Sequence, residues 1–119
     1  MLQIKRIYEQ AEPADGRRIL VDRLWPRGVR KEEAQVSEWM KEVAPGADLR
    51  KWFGHRPERF AEFAGRYEEE LKVGQAKVQL ERLKAYLESG PLTLVYAARD
   101  EEHNHAWVLM RVLERSLSR

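Results

Sequence analysis

The chain of 119 residues contains no cysteine, which excludes disulfide bonds, thiolate catalysis and cysteine-ligated metal sites. It also lacks a large excess of one charge: 22 basic residues stand against 20 acidic ones, so charge alone gives no indication of polyanion binding. No apolar run approaches the ~20 residues that span a bilayer, and the N-terminus has no apolar signal core. We therefore expect a cytoplasmic protein with no membrane partner.

The composition is that of a folded protein, with 43% hydrophobic residues and ordinary amounts of glycine and proline. No repeat or linker-like stretch interrupts the chain, so we expect a single domain over residues 1–119. Charged residues reach 35%, and the chain has a single asparagine. Many Glu and Arg together with few heat-labile residues are typical of proteins from heat-loving organisms.

Three segments are predicted to form β-strands. Ile19–Val21 and Leu92–Ala98 are short, continuous apolar runs, as parallel strands covered on both faces should be, and Leu2–Tyr8 is a weaker third strand. A final strand that leads directly into a final helix is the α/β pattern. We predict an α/β fold: a small, mainly parallel sheet of three to four strands flanked by helices, in a Rossmann- or flavodoxin-like layering.

Helices are predicted for the middle and the end of the chain. One is expected over residues 36–43, where four apolar side chains recur at helical spacing. Two more are expected between Pro57 and Gly90, and the last is expected to take Asp100 as its N-cap. The side chains predicted to face inward from these later helices are Phe60, Phe63, Tyr67, Leu71, Leu80, Leu83, Leu87, Ala106, Leu109, Met110, Leu113 and Leu117.

Charged residues follow both buried strands where each strand ends. Asp22 comes directly after the first of them and Arg99 directly after the second. Because ligands of open α/β sheets bind beyond the carboxyl ends of the strands, we place the functional site there, with its centre in the segment Asp15–Gly28, DGRRILVDRLWPRG. The residues predicted to bind a ligand are Arg23, Trp25, Arg27, Arg50, Arg99 and Asn104.

A rigid corner is predicted after Asp22, because Pro26 cannot continue a strand and Gly28 permits a turn that is closed to other residues. Arg23 and Arg27 would then approach one carboxylate or phosphate from two sides. Asp22 would act as a general base or would orient Arg23. The alternative is a purely structural ion pair between Asp22 and an arginine.

Asn104 and His105 are expected near the start of the last helix, at the same edge of the sheet. His105 would serve as a general base or a hydrogen-bond partner, and with Asp22 it completes the pair of candidate catalytic residues. No metal is expected, because His103 and His105 lie two apart on a helix and only His55 remains as a third imidazole. No cofactor is expected either.

A second basic and aromatic cluster, LRKWFGHRP, spans Leu49–Pro57. Basic side chains that alternate with aromatic ones would suit the binding of single-stranded nucleic acid. The preferred interpretation instead places Trp52 and Phe53 in the core and Arg50 at the strand-end site. The alternative function, a nucleic-acid-binding or regulatory module, would use Arg17, Arg18, Arg30, Lys31, Arg50, Lys51, Arg56 and Arg59.

Three blocks of the sequence resemble the YeaO-like branch of the domain-of-unknown-function 488 family: DGRRILVDRLWPRGVRKE, WMKEVAPGADLRKWFGHRPERFAEFAGRYEEEL and PLTLVYAARDEEHNHAWVL. The resemblance runs from about Lys5 to about Leu113. It implies no particular reaction, because the family has no settled biochemical activity. Longer members have a similar V-D-x-R-x-x-P-R pattern at a strand end, which is matched here by Asp22, Arg23, Pro26 and Arg27.

The longer members also have a C-H-R-like motif on a later helix, where this chain has Asn104-His105-Ala106. Asn104 replaces the common Cys and Ala106 the common Arg, so the resemblance implies no thiol-based role here. Those members have a helix between their first two strands, which suggests a parallel pair. Glu9–Arg17 is too short for a full crossover helix, and the pairing of the first strand stays open.

Two functions from different classes follow. The first is an enzyme that acts on a compact anionic ligand, either nucleotide-like or a phosphorylated or carboxylated metabolite. The second is the nucleic-acid-binding or regulatory module, which the nearly balanced charge disfavours. A third interpretation makes the strand-end residues a folding corner without a function of its own.

Overall fold

The computed structural model describes residues 1–117, and its centre is a four-stranded, all-parallel sheet in the order β1-β4-β2-β3. The strands are β1 (Leu2–Arg6), β2 (Arg17–Leu20), β3 (Glu38–Trp39) and β4 (Leu92–Tyr96). The helices are α1 (Lys31–Ala34), α2 (Ala47–Phe53), α3 (Phe60–Glu70), α4 (Gly74–Ser89) and α5 (His105–Leu117). Single 3-10 turns span Pro13–Asp15 and Pro57–Arg59. The predicted small α/β fold is confirmed.

The last strand, β4, lies at the centre of the sheet and is buried along its whole length. Leu92 is level with Leu2 of β1 on one side and with Arg17 of β2 on the other. The first strand therefore pairs with the last strand and not with the second, which answers the question that the short Glu9–Arg17 segment left open. That segment crosses from one side of β4 to the other with a single 3-10 turn in place of a helix.

The two faces of the sheet are covered unequally. The four longer helices share one large core with the sheet residues Ile19, Val21, Leu92, Leu94 and Tyr96. On the opposite face a smaller cluster contains Ile7, Leu20, Ala34 and Val95, with Trp25, Val29, Val36, Trp39 and Ala97 packed against it. Side chains alternate between these faces along β2 and β4, so both strands are buried on both sides, as their continuous apolar runs predict.

The helix predicted over residues 36–43 is wrong. This segment runs beside β2, where the Ser37 amide donates to the carbonyl of Arg18 and the Met40 amide to that of Leu20. Its apolar side chains serve both sides of the sheet, since Trp39 packs in the smaller cluster and Met40 in the large core. A one-sided helical stripe could not supply both faces.

The predicted start of the last helix is also wrong. α5 begins at His105, and Asn104 caps it by accepting a hydrogen bond of 2.8 Å from the Trp107 amide. Asp100 lies earlier, in the loop between β4 and α5. Leu117 is 55% exposed because the last turn of α5 lies outside the core. Within residues 1–117, no helix has both the length and the apolar character to cross a membrane.

The outer edge of β1 ends in a local turn. The amide of Arg6 donates a hydrogen bond of 2.7 Å to the Glu9 carboxylate, and the amide of Glu9 donates to the Arg6 carbonyl at 3.0 Å. The guanidinium of Arg6 donates to the carbonyls of Ala97 and Ala98, beyond the end of β4. β1 is thereby fixed to the chain that leaves β4.

Candidate functional site

The carboxyl ends of β2 and β4 open into a cavity of about 750 Å³, here called the strand-end cavity. Its walls come from the chain after each of these strands, from the segment before α2, and from α2, α3 and the start of α5. This volume lies within the range of small-molecule sites, roughly 300–1,000 Å³. The position agrees with the rule that places ligands beyond the carboxyl ends of parallel strands.

Most of the predicted site residues meet at this cavity. Those that line it are Asp22, Arg23, Arg50, Arg99, Asn104 and His105. Trp25 and Arg27 do not line it. Trp25 packs edge-to-face on Trp39 at 5.5 Å, on the opposite face of the sheet, and donates to the Val29 carbonyl.

The predicted corner therefore exists, but it turns the chain away from the cavity. Pro26 is buried behind Trp25, whereas Arg27 is exposed. The expected convergence of Arg23 and Arg27 on one anion in this cavity is not what the structure shows. The physical reason is that Trp25 covers the apolar face around Trp39 and bonds the Val29 carbonyl, which carries the following residues to that side of the sheet.

Asp22 and His105 form the inner end of the cavity. Oδ2 of Asp22 accepts a hydrogen bond of 3.1 Å from the Ala97 amide, which joins the ends of β2 and β4. Nε2 of His105 lies 2.9 Å from the Val21 carbonyl oxygen and 3.1 Å from Oδ1 of Asp22. Since a carbonyl oxygen can only accept, the contact with Val21 requires a proton on Nε2. That nitrogen is then a donor and is not free to act as a base.

One buried tyrosine, Tyr67, lies beside His105, and a second, Tyr96, ends β4. The Tyr67 hydroxyl donates to the Val43 carbonyl, and its ring lies edge-on to His105 at 6.3 Å. Burial raises the pKa of Tyr67 above its ordinary value. Burial also raises the pKa of Tyr96, at the end of β4, to about 12. Both phenols stay protonated near neutral pH and supply no general base there.

The cations around the cavity fall into two kinds. Arg23 is already engaged, because its guanidinium donates to the Glu42 carboxylate at 3.0 Å and to the Ala44 carbonyl at 3.1 Å. Arg50, Lys51 and Arg99 are exposed at the cavity, and their side chains make no hydrogen bond or ion pair with any residue of the described part of the chain. Three unpaired cations therefore face a single opening.

Lys51 is a cavity residue that the sequence interpretation assigned only to the nucleic-acid alternative. Its place next to Arg50 in the short helix α2 is the signal that could have found it. Phe53 and Phe63 also line the cavity and are stacked with their ring centres 4.3 Å apart. They give it an apolar wall.

Asn104 has a structural role at the cavity wall. Besides capping α5, its Nδ2 donates to the Asp100 carbonyl at 2.8 Å, and the residue is buried. The amide of Glu102 donates to the Asp100 carboxylate and, with contacts from His103, holds the pKa of Asp100 below its ordinary value. These bonds fix the loop that carries Arg99.

The first part of the DGRRILVDRLWPRG segment lies away from the cavity, in a buried polar network. Asp15 pairs with Arg18 at 2.7 Å and with Lys5 at 3.0 Å, and Arg18 also donates to the Ala34 carbonyl. Burial raises the pKa of Asp15, but hydrogen bonds from the Glu12 amide, Lys5 and Arg18 outweigh it and hold that pKa below its ordinary value. Arg18 is therefore not available to nucleic acid.

A family model described as the inactive DUF488-N3 subclade matches residues 1–119. The chain belongs to the DUF488 family. The uncharacterised protein YeaO of Escherichia coli is 44% identical over 108 residues, which cover 91% of this chain and 92% of YeaO. An uncharacterised protein of Mycobacterium tuberculosis is 45% identical over 112 residues, which cover 94% of this chain and 92% of the relative. No solved structure matches the chain significantly.

In this DUF488 chain, the carboxylates and imidazoles of the described residues lie apart from one another or bond within the fold. Within residues 1–117, no three His, Asp or Glu side chains are grouped as metal ligands. His103 bonds to Asp100, and His105 bonds to Val21. The strand-end cavity is lined by the cations Arg50, Lys51 and Arg99, the imidazole of His55, the carboxylates of Asp22 and Asp100, and an apolar wall.

Proposed function

We propose that this protein binds a compact anionic small molecule in the strand-end cavity. The observation that carries the proposal is that Arg50, Lys51 and Arg99 line the same cavity and have no side-chain partner among residues 1–117. Guanidinium and ammonium groups held near one another favour carboxylate or phosphate. The cavity is also lined by two acids, Asp22 and Asp100, so these three cations exceed the lining acids by one charge.

The proposal is limited to binding, because the two predicted catalytic residues both make structural contacts. Nε2 of His105 donates to the Val21 carbonyl, and Asp22 holds the ends of two strands together. In this tautomer Nε2 has a structural role and the lone pair of the imidazole lies on Nδ1, so the contact with Val21 by itself assigns no reaction. The description of the matching family model as an inactive subclade supports the same proposal.

The experiment is a thermal-shift screen followed by titration calorimetry. Its probes are inorganic phosphate, citrate, glutamate and adenosine monophosphate. A ligand present at 100 times its Kd should stabilise the native protein by about 2.7 kcal/mol. The variants Arg50→Gln and Lys51→Gln should each weaken that binding by about tenfold, because each removes one charge-assisted contact.

Lys77→Gln is the matched control, since Lys77 is exposed on α4 and does not line the cavity. It removes the same charge as Lys51→Gln and should leave the affinity unchanged. If none of the anions binds, the proposal is wrong. If Lys77→Gln weakens binding as much as Lys51→Gln, the anion binds through net charge and not in the cavity.

A further inference from the structure

One oxygen of the Asp22 carboxylate is buried without a hydrogen bond. Oδ2 accepts from the Ala97 amide, but Oδ1 has no hydrogen-bond partner among the residues that the structure describes. A buried carboxylate oxygen without a donor is costly, so a native protein normally gives it one. Asp22 also lines the strand-end cavity, but Oδ1 itself has almost no accessible surface, so a ligand that provides this donor must turn the carboxylate toward the cavity.

His105 does not satisfy this oxygen. Its Nε2 lies 3.1 Å from Oδ1 of Asp22, but the single proton on that nitrogen is shared with the closer carbonyl oxygen of Val21, at 2.9 Å. Carboxylate oxygens accept more than one hydrogen bond each. Asp22 therefore keeps an unused acceptor just behind the inner end of the cavity.

The free acceptor of Asp22 and the unpaired cations lie at different depths of the strand-end cavity. The side chain of Asp22 is only 16% exposed, whereas Arg50, Lys51 and Arg99 are exposed residues at the same cavity. The cavity is thus negative at its inner end and positive at its rim. An anion that has no N–H group would pair with the cations at the rim, but it would leave Oδ1 of Asp22 without a hydrogen-bond donor.

We infer, on the basis of the anion site proposed above, that the ligand carries an N–H donor in addition to its anionic group. The donor binds Oδ1 of Asp22 at the inner end, and the carboxylate or phosphate binds the cations at the rim. Between them the molecule lies against the apolar wall that includes Phe53. Amino acids and nucleotides with an exocyclic amine share this chemistry.

Matched pairs of ligands test the inference on the native protein. Glutamate is compared with glutarate, which lacks only the amino group. Adenosine monophosphate is compared with purine riboside 5′-monophosphate, which lacks only the 6-amino group. In at least one pair the amino form should bind about tenfold more tightly, the effect of one hydrogen bond to a carboxylate. The pair that shows the preference tells whether the ligand is an amino acid or a nucleotide.

The variant Asp22→Asn tests whether the preference for the amino form depends on Oδ1 of Asp22. Its amide oxygen still accepts from the Ala97 amide, while its NH₂ group replaces the free acceptor with a donor. The variant should lose the preference for the amino form and should retain binding of the form without it. Asp48→Asn is the matched control, because Asp48 is exposed and does not line the cavity; it should keep the preference.

The outcomes separate the two proposals. Equal affinities within both pairs overturn the inference and leave the anion site standing. A preference that survives in Asp22→Asn overturns it as well. If no anion binds the native protein, the proposed function falls and the inference falls with it. Should Asp22→Asn fail to fold, which circular dichroism would show, the ligand pairs on the native protein still decide.

Discussion

Nε2 of His105 lies 2.9 Å from the carbonyl oxygen of Val21, so the first residue of α5 is hydrogen-bonded to the end of β2. Val21 is fully buried, and loss of this donor would leave its carbonyl unsatisfied. His105→Ala should therefore lower the free energy of unfolding by about 1–3 kcal/mol. Urea denaturation measures the loss, and His105→Gln, which keeps an amide donor, should recover part of it. Unchanged stability in His105→Ala would mean that the hydrogen bond contributes nothing.

The two arginines predicted together from the sequence should differ in their effect on ligand binding. Arg99→Gln should weaken anion binding by about tenfold, because Arg99 is an unpaired cation of the strand-end cavity. Arg27→Gln should leave the affinity unchanged, since Arg27 is exposed outside that cavity. Calorimetry of both variants against the best anion of the screen measures this. A larger loss of affinity in Arg27→Gln than in Arg99→Gln would support the sequence-based prediction that Arg27 binds the anion.

The buried network around Asp15 should make the protein sensitive to acid. Hydrogen bonds hold the pKa of Asp15 below its ordinary value of 3.8, so the folded state favours the ionised form. The stability this adds is present above pH 3.8 and is lost as the pH falls through the lower pKa of the folded state. Asp100, whose pKa is lowered as well, contributes in the same range.

The variant Asp15→Asn separates the contribution of Asp15 to acid sensitivity from that of the other carboxylates. It leaves Arg18 without its buried partner, so at pH 7 it should lose about 3–5 kcal/mol of stability. Its remaining stability should fall less steeply with acid than that of the native protein. Urea titrations at several pH values between 7 and 2 measure both effects. An equally steep fall in the variant would assign the acid sensitivity to other carboxylates.

Gly16 should tolerate no side chain. Its φ is +64°, and a Cβ at this position would lie 2.5 Å from the carbonyl oxygen of Pro91. Gly28 also has a positive φ, of +74°, but a Cβ there meets no atom within 4 Å. Gly28→Ala should cost about 1–2 kcal/mol from the backbone alone, and Gly16→Ala should cost clearly more. Thermal denaturation of the two variants compares them, and equal losses would contradict the proposed contact with Pro91.

The parts of the fold that depend on local pattern could be predicted from the sequence. The continuous apolar runs around Ile19 and Leu94 gave two buried strands, and the stripe through Phe63 and Tyr67 gave α3, because neighbouring residues alone determine these patterns. The segment around Trp39 could not be predicted in this way. Its side chains pack on two sides of a sheet that exists only once β2 and β4 have met, and their spacing mimics a helix.

The same distinction applies to the site. Asp22 was predicted at the site because it directly follows a buried strand, and His105 because the last strand leads into the last helix. The start of that helix was predicted wrongly, but the sheet edge was right, and Nε2 of His105 lies 3.1 Å from Oδ1 of Asp22. The roles of Arg27 and Asp15 could not be predicted. Each depends on the direction in which a turn carries the chain, and a residue type at a strand end does not reveal that direction.

The turn at the end of β1 has a consequence for how this protein meets other chains. An edge strand offers unpaired amides and carbonyls to any extended segment that comes near. At Arg6 both groups are already used, the amide by the Glu9 carboxylate and the carbonyl by the Glu9 amide. A foreign strand that pairs along β1 must therefore stop before this residue, so strand addition at this edge of the sheet is confined to the residues before Arg6.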